Sequence, residues 1–355
     1  MFVLWMTLSS AYVCSLLSRY LARPTAIGPI YIQPNKFLVF VVGAIIVLVA
    51  GLRNNIGDTF FYMHSYALTP LKLEDIGFKA EFGFNLIQMF LQQITNNPQF
   101  LIFIVALITN VLIIRVLYKY AMMFELSVYV YITSGLFLMS MNGIRQFMAA
   151  AIVFAATKYL LDGSWKKYMV IILIASTIHQ SALILIPIYF IVRRRAWTHQ
   201  TFILVSFAII FVAGFAQLSE VLFTVIKDTK YSEYQDLEKN GANFLRVVVN
   251  AVPVVIAYIG REKLRQLFPK SDYVVNMCLI NLIFMFIATQ QWIFARFSFY
   301  FGLYNLILIP WVIKLFVPQE RKFIYYAILV CYFIYFYYEN VISLNIIYKS
   351  DFIRF

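Results

Sequence analysis

Eleven apolar runs of roughly membrane length follow one another along the chain, and this succession leaves very few folds open. They lie near residues 2–18, 37–52, 99–114, 126–140, 147–161, 168–192, 201–218, 247–260, 273–289, 297–313 and 323–338. In hydrocarbon every backbone N–H and C=O must find its partner inside the protein, so a spanning chain is restricted to α-helices or closed barrels. Barrel strands need only about 9–11 residues of alternating pattern, and these runs are longer and apolar throughout. The sequence therefore predicts an all-α, polytopic transmembrane helical bundle of about 10–11 membrane segments, with residues 1–355 forming a single integral membrane domain. Composition agrees: 63% of residues are hydrophobic and 13% charged, where soluble domains carry about 25% charge. The first run has no charged leader and no small-residue cleavage site, so it reads as a first helix and not as a removed signal.

The composition also excludes several function classes. The cysteines Cys14, Cys278 and Cys331 all sit inside apolar runs, without CxxC spacing, and read as packing residues. With only His64, His179 and His199 besides, no His/Cys metal constellation is expected. A net charge of +13 in such a chain reflects loop bias and not nucleic-acid binding.

That bias tests the topology. The run 168–192 is interrupted by Ser176, Thr177, His179, Gln180 and Ser181, with Pro187 following. It either crosses once or enters and returns as two half-helices. If it returns, and the N-terminus is outside, 18 of the 29 basic residues fall in inner loops with five acidic ones, leaving the outside neutral. If it crosses, the basic split is 15 to 14 and the bias vanishes. A broken or re-entrant segment is therefore expected. Two sizeable outer loops follow, about 53–98 and 219–246. The first ends in an amphipathic stretch (Leu86, Ile87, Phe90, Leu91, Ile94) expected to form a helix on or against the membrane. The second is rich in tyrosine and acid (Asp228, Tyr231, Glu233, Tyr234, Asp236, Glu238). Such a surface suits sugar rings, and equally an ordinary solvated loop.

Three arginines stand at span ends on the outer side: Arg53, Arg145 and Arg296. A central arginine costs roughly 2.5–3.5 kcal/mol on insertion scales, so it faces a cavity, a partner or the interface. Three together point to an anion.

Four segments around these residues resemble the EpsG family of polysaccharide polymerases. Gly51-Leu52-Arg53-Asn54-Asn55-Ile56-Gly57-Asp58-Thr59-Phe60-Phe61-Tyr62 is similar to its early arginine, glycine–aspartate and tyrosine signature, although many members read Gly-Thr-Asp where this chain has Gly57-Asp58-Thr59. Asn142-Gly143-Ile144-Arg145-Gln146 and the following alanines resemble its Asn-x-x-Arg-Gln element. Ala175 through Pro187, containing His179, Ser181 and Ala182, resembles its histidine element, and Arg296 with Tyr300 its late Arg-x-x-x-Tyr. The resemblance covers about residues 49–310, with the elements in family order.

It implies a Wzy-type glycosyltransferase in the bacterial cytoplasmic (inner) membrane, with its site facing the periplasm or exterior. Donor and acceptor would be glycans on polyprenyl pyrophosphate, a chain-length regulator is a candidate partner, and no cofactor or metal is required. The chemistry suits the residues. Pyrophosphate is a good leaving group that needs positive charge, not a general acid, and arginine offers phosphate a bidentate fork. Arg53, Arg145 and Arg296 are thus the expected pyrophosphate ligands, with Asn142, Gln146, Tyr62 and Tyr300 in support. An acceptor hydroxyl must lose a proton, and imidazole, with a reference pKa near 6.5, suits a base. His179 is the first candidate and Asp58 the second. Each has a plainer rival: a headgroup anchor for Arg53, an interfacial belt with Trp292 for Arg296, a helix-break cap for His179, and an N-cap of the helix from Thr59 for Asp58. An O-antigen ligase and a lipid-linked oligosaccharide transporter remain alternatives; the latter should show paired broken helices, and one is seen. A membrane O-acyltransferase would need a second catalytic partner on the inner side.

Overall fold

The computed structural model describes residues 1–24, 32–77, 81–215 and 241–353, and helices dominate it. In chain order the first thirteen are α1 (Phe2–Tyr20), α2 (Lys36–Gly51), α3 (Thr59–Leu68), α4 (Leu73–Ile76), α5 (Phe82–Ile94), α6 (Gln99–Tyr120), α7 (Phe124–Thr133), α8 (Leu136–Met141), α9 (Ile144–Ala155), α10 (Thr157–Asp162), α11 (Trp165–Ile178), α12 (Leu185–Val192) and α13 (His199–Ala213). The helices Phe244–Ile259, Arg261–Leu267, Ser271–Ile287, Phe299–Gly302, Asn305–Ile313 and Arg321–Phe336 follow. Strand pairing among the described residues is limited to Arg23–Pro24 with Ile32–Gln33.

Two helices, Phe2–Tyr20 and Gln99–Tyr120, are individually long and apolar enough to cross a membrane. Two bent pairs bring the number to four: Phe244–Ile259 with Arg261–Leu267 at 81°, and Trp292–Gly302 with Asn305–Ile313 at 62°. Several runs expected as single helices are instead broken. The run 126–140 divides at Gly135, whose φ of +85° ends α7 and starts α8. The run 147–161 divides at Ala156, between α9 and α10. A glycine or a short polar joint inside an apolar run leaves hydropathy almost unchanged while turning the backbone.

The core is built on α1 packed against α2 and α7, α2 against α6, and α6 against α9. Some of its polar groups pair with one another, as low dielectric favours: Tyr131 Oη donates to Asn110 Oδ1 at 2.8 Å. Charge is sorted to the two ends of the bundle. At one end Arg19 pairs with Glu125, Lys270 with Asp162, and Arg265 with Asp272, while Lys263 donates to the Leu315 carbonyl. The other end carries Arg53, Asp58, Glu81, Arg145, Arg246 and Glu339.

The segment 165–192 is a hairpin. Helix α11 starts beside Asp162 at the first end, stops at His179, and a 3-10 turn (Gln180–Ile184) leads back through α12. Pro187 falls in the first turn of α12, where its missing N–H costs nothing. The two legs run side by side, with Tyr168 and Tyr189 rings 5.0 Å apart. Arg193 returns to pack its guanidinium on Gly163, over the Tyr273 ring at 5.1 Å. The segment thus ends where it began, with His179 at its tip.

Candidate functional site

The first two polar motifs are locked together. Arg53, just past α2, is 2% exposed. Its Nε donates to Thr59 Oγ1 at 2.9 Å, Nη2 to the Met141 carbonyl at 2.8 Å, and Nη1 to the Ala50 carbonyl. All three nitrogens are thus spent on the protein. Burial lowers its pKa to about 9, which leaves it charged at neutral pH. Arg53 therefore clamps the ends of α2 and α8 to the start of α3. Beside it Gly57 takes φ +56°, and a Cβ there would sit 2.6 Å from Asn142 Cβ. Asp58 makes no cap on α3; its Oδ2 accepts from the Gly143 N–H at 3.3 Å. The carboxylate thereby complements the N-terminus of α9, in place of the expected N-cap on α3.

Residues 348–350 close over this joint. The Asn54 N–H donates to the Lys349 carbonyl and Tyr348 Oη to the Val49 carbonyl, at 3.0 and 2.9 Å. Ser350 Oγ donates to the Leu52 carbonyl.

Arg145 is the second residue of α9, following Gly143 at φ +62°. Its Nε donates to Tyr62 Oη at 2.8 Å and its Nη1 to Glu81 Oε2 at 3.2 Å. Its plane lies over the Tyr62 and Phe84 rings at 5.3 and 5.4 Å. Burial raises the Tyr62 phenol above its ordinary pKa, with Arg145 opposing, so it stays neutral. Side-chain exposure of 29% leaves Arg145 open to a ligand. Asn142 lies before the helix in extended conformation.

At the hairpin tip, His179 Nδ1 accepts from the Ser181 N–H at 3.3 Å and stands 2.7 Å from Ser181 Oγ. A backbone N–H can only donate, so in the neutral ring the proton sits on Nε2. Nε2 faces Glu81 Oε1 at 3.6 Å. Ser181 Oγ also meets Tyr300 Oη at 2.9 Å and accepts from Gln146 Nε2 at 3.0 Å. Gln146 donates further to the Arg296 carbonyl at 3.1 Å. The Arg296 guanidinium itself lies over the Trp292 ring at 5.5 Å. His179 thus does cap the helix break, and in the neutral ring its Nε2–H faces the Glu81 carboxylate.

That carboxylate, Glu81, is the residue sequence reasoning missed. It sits in a mixed-charge loop where an acid looks like any solvated one, yet only 9% of its side chain is exposed. Glu81 precedes α5, and Gly83 abuts Thr177 so closely that a Cβ would lie 2.8 Å from Thr177 Cβ. This contact brings α5 onto the end of α11 and Glu81 onto the tip. Helix α5 forms as expected but buries Phe84, Gln88 and Leu91, leaving Phe90 and Ile94 exposed. Among the described residues no group of three or more His, Cys, Asp or Glu converges as a metal site requires. The tyrosine- and acid-rich part of the second outer loop lies outside the described residues.

All four motif segments therefore meet at one end of the bundle, with a cation, a carboxylate and an imidazole in one chain of contacts. The sequence profile described as the EpsG family matches residues 36–350, nearly the whole chain. No curated protein and no solved structure matches it significantly.

Proposed function

Since the chain belongs to the EpsG family, we propose that it is a membrane glycosyltransferase that joins repeat units carried on polyprenyl pyrophosphate into an exopolysaccharide, capsule or O-antigen. The arrangement Arg145–Glu81–His179 carries this reading. Catalysis breaks the bond from the anomeric carbon to pyrophosphate and forms one to an acceptor hydroxyl, whose proton must go to a base. Arg145, open to solvent at the start of α9, meets the pyrophosphate, and Arg296 lies on the adjoining segment. Glu81 takes the proton, as a carboxylate does in inverting glycosyl chemistry. His179 Nε2–H holds that carboxylate, while Ser181, Gln146 and Tyr300 hold His179.

The bundle is read as polytopic in the bacterial cytoplasmic membrane, with ten crossings and the hairpin 165–192 returning to its own side. An apolar belt supports this: Ile203, Phe207 and Ile210 on α13 are each more than 60% exposed, which water-soluble surfaces avoid. The basic end is read as cytoplasmic, which puts the motif cluster at the outer leaflet.

Deletion of the gene followed by glycan analysis tests the function. Accumulated single repeat units are expected. Full-length polymer left unattached would identify a ligase, and repeat units trapped on the inner leaflet a transporter.

A further inference from the structure

The end of the bundle opposite the motif cluster carries cations that the transfer chemistry leaves unused. Arg19 lies in the last turn of α1, Lys314 follows the helix Asn305–Ile313, and Arg321 opens the helix Arg321–Phe336. Arg19 and Lys314 line a partly open pocket together with Glu125, at the start of α7, and the apolar Ile32, Pro34 and Met122. Its volume is about 70 Å³. At about 10–15 Å³ for each water-sized sphere, that is room for roughly five heavy atoms. A phosphate group has that size, and a sugar ring is too large.

Charge in this pocket is out of balance. Glu125 is 1% exposed and accepts from Arg19 Nη1, so the one acid is neutralised. The Arg19 side chain stays 42% exposed, open to a second anion. Lys314 is half-buried, and among the described residues its ammonium has neither a hydrogen bond nor an ion pair. Behind it Arg321 donates through Nη2 to the Lys314 carbonyl at 3.4 Å and through Nε to the Phe316 carbonyl at 3.1 Å. Both acceptors are uncharged. Burial, and then the Arg321 and Arg19 charges, lower the Lys314 pKa. Three cations thus crowd round one acid in a site too small for much water to screen them.

We propose that this pocket binds a phosphate anion, held by Arg19 and Lys314, which ties the ends of α1, α7 and the two helices Asn305–Ile313 and Arg321–Phe336 together. Arg19 offers N–H groups in a planar fork and Lys314 a point charge. The apolar flank favours a phosphate with an apolar chain of its own, as in the headgroup of an anionic lipid. Basic pockets between membrane helices take such headgroups on the cytoplasmic side, the side read above for this end.

The test uses full-length protein in phosphatidylcholine nanodiscs and two probes: phosphatidylglycerol mixed into the bilayer, and inorganic phosphate compared with sodium chloride at equal ionic strength. Phosphatidylglycerol should raise the thermal midpoint of the native protein. In Lys314→Gln half-maximal stabilisation should need about tenfold more of it, as expected for one lost charge-assisted hydrogen bond. Lys314→Arg should respond as the native protein does. Lys314→Met, which keeps the apolar stem, gives the same comparison if the glutamine variant fails to fold. A response to inorganic phosphate alone, lost in Lys314→Gln, would keep the site and make its ligand a soluble phosphate compound. Equal stabilisation of native protein and Lys314→Gln would overturn the proposal, since diffuse surface charge would then account for it. So would stabilisation by neither probe, or a rise with phosphate no larger than with chloride.

Discussion

Glu81 Oε1 and His179 Nε2 stand 3.6 Å apart, with Arg145 on the other carboxylate oxygen at 3.2 Å. One acid thus joins a loop helix, the start of α9 and the hairpin tip. It places a carboxylate beside a guanidinium, with the imidazole Nε2–H directed at the acid.

Glu81→Gln keeps the size and the hydrogen-bonding capacity but removes the basic oxygen. Polymerisation by the purified variant should fall about 10²–10⁴-fold, the ordinary range for a lost general base. Activity within threefold of native would remove Glu81 from the chemistry.

His179 is separated from a base by the pair His179→Ala and His179→Gln. Glutamine supplies an N–H for Glu81 and an oxygen for the Ser181 N–H, so it should retain at least about a tenth of native turnover, with alanine falling about a hundredfold. Equal loss in both would return the base role to the imidazole.

Arg145→Lys preserves charge and loses the planar fork. We expect turnover to drop by about 10²–10³-fold, comparable to the loss of one electrostatic stabiliser of a transition state, with normal insertion into the membrane. Full activity would reduce Arg145 to an anchor.

Gly57→Ala and Gly135→Ala form a matched pair. Both glycines have positive φ, but a Cβ at Gly135 meets nothing within 4 Å and one at Gly57 meets Asn142 at 2.6 Å. Gly135→Ala should cost about 1–2 kcal/mol from backbone conformation alone. Gly57→Ala should cost clearly more, and should lose activity as the Asp58–Gly143 contact opens. Equal thermal midpoints in detergent would deny the docking of the two motifs.

The hairpin places the 162–167 and 193–196 joints together. Cysteines introduced at Lys166 and Arg194 should react with an impermeant maleimide from the same side of intact cells. Opposite labelling would make 165–192 a single crossing and invert every loop after it.

Much of this site was legible because polarity inside apolar sequence is conspicuous. Arg145, Gln146, His179 and Tyr300 stood out on those grounds, and they converge. The return of 168–192 was legible too, because loop charge counts parity. The clamp made by Arg53 was not legible, because its partners are two backbone carbonyls and a threonine, which no sequence pattern marks. Glu81 was passed over because its burial comes from Gly83 meeting Thr177, a contact 94 positions apart. Arg19, Lys314 and Arg321 stand at the ends of three different helices, and only packing shows that they crowd together.

Residues 348–350 reach Val49, Leu52 and Asn54 across 299 and 298 positions of sequence for the first two. The Arg53 joint is therefore braced by a stretch that belongs to none of the four motifs, and replacing Tyr348 or Ser350 should loosen it while leaving every motif residue in place.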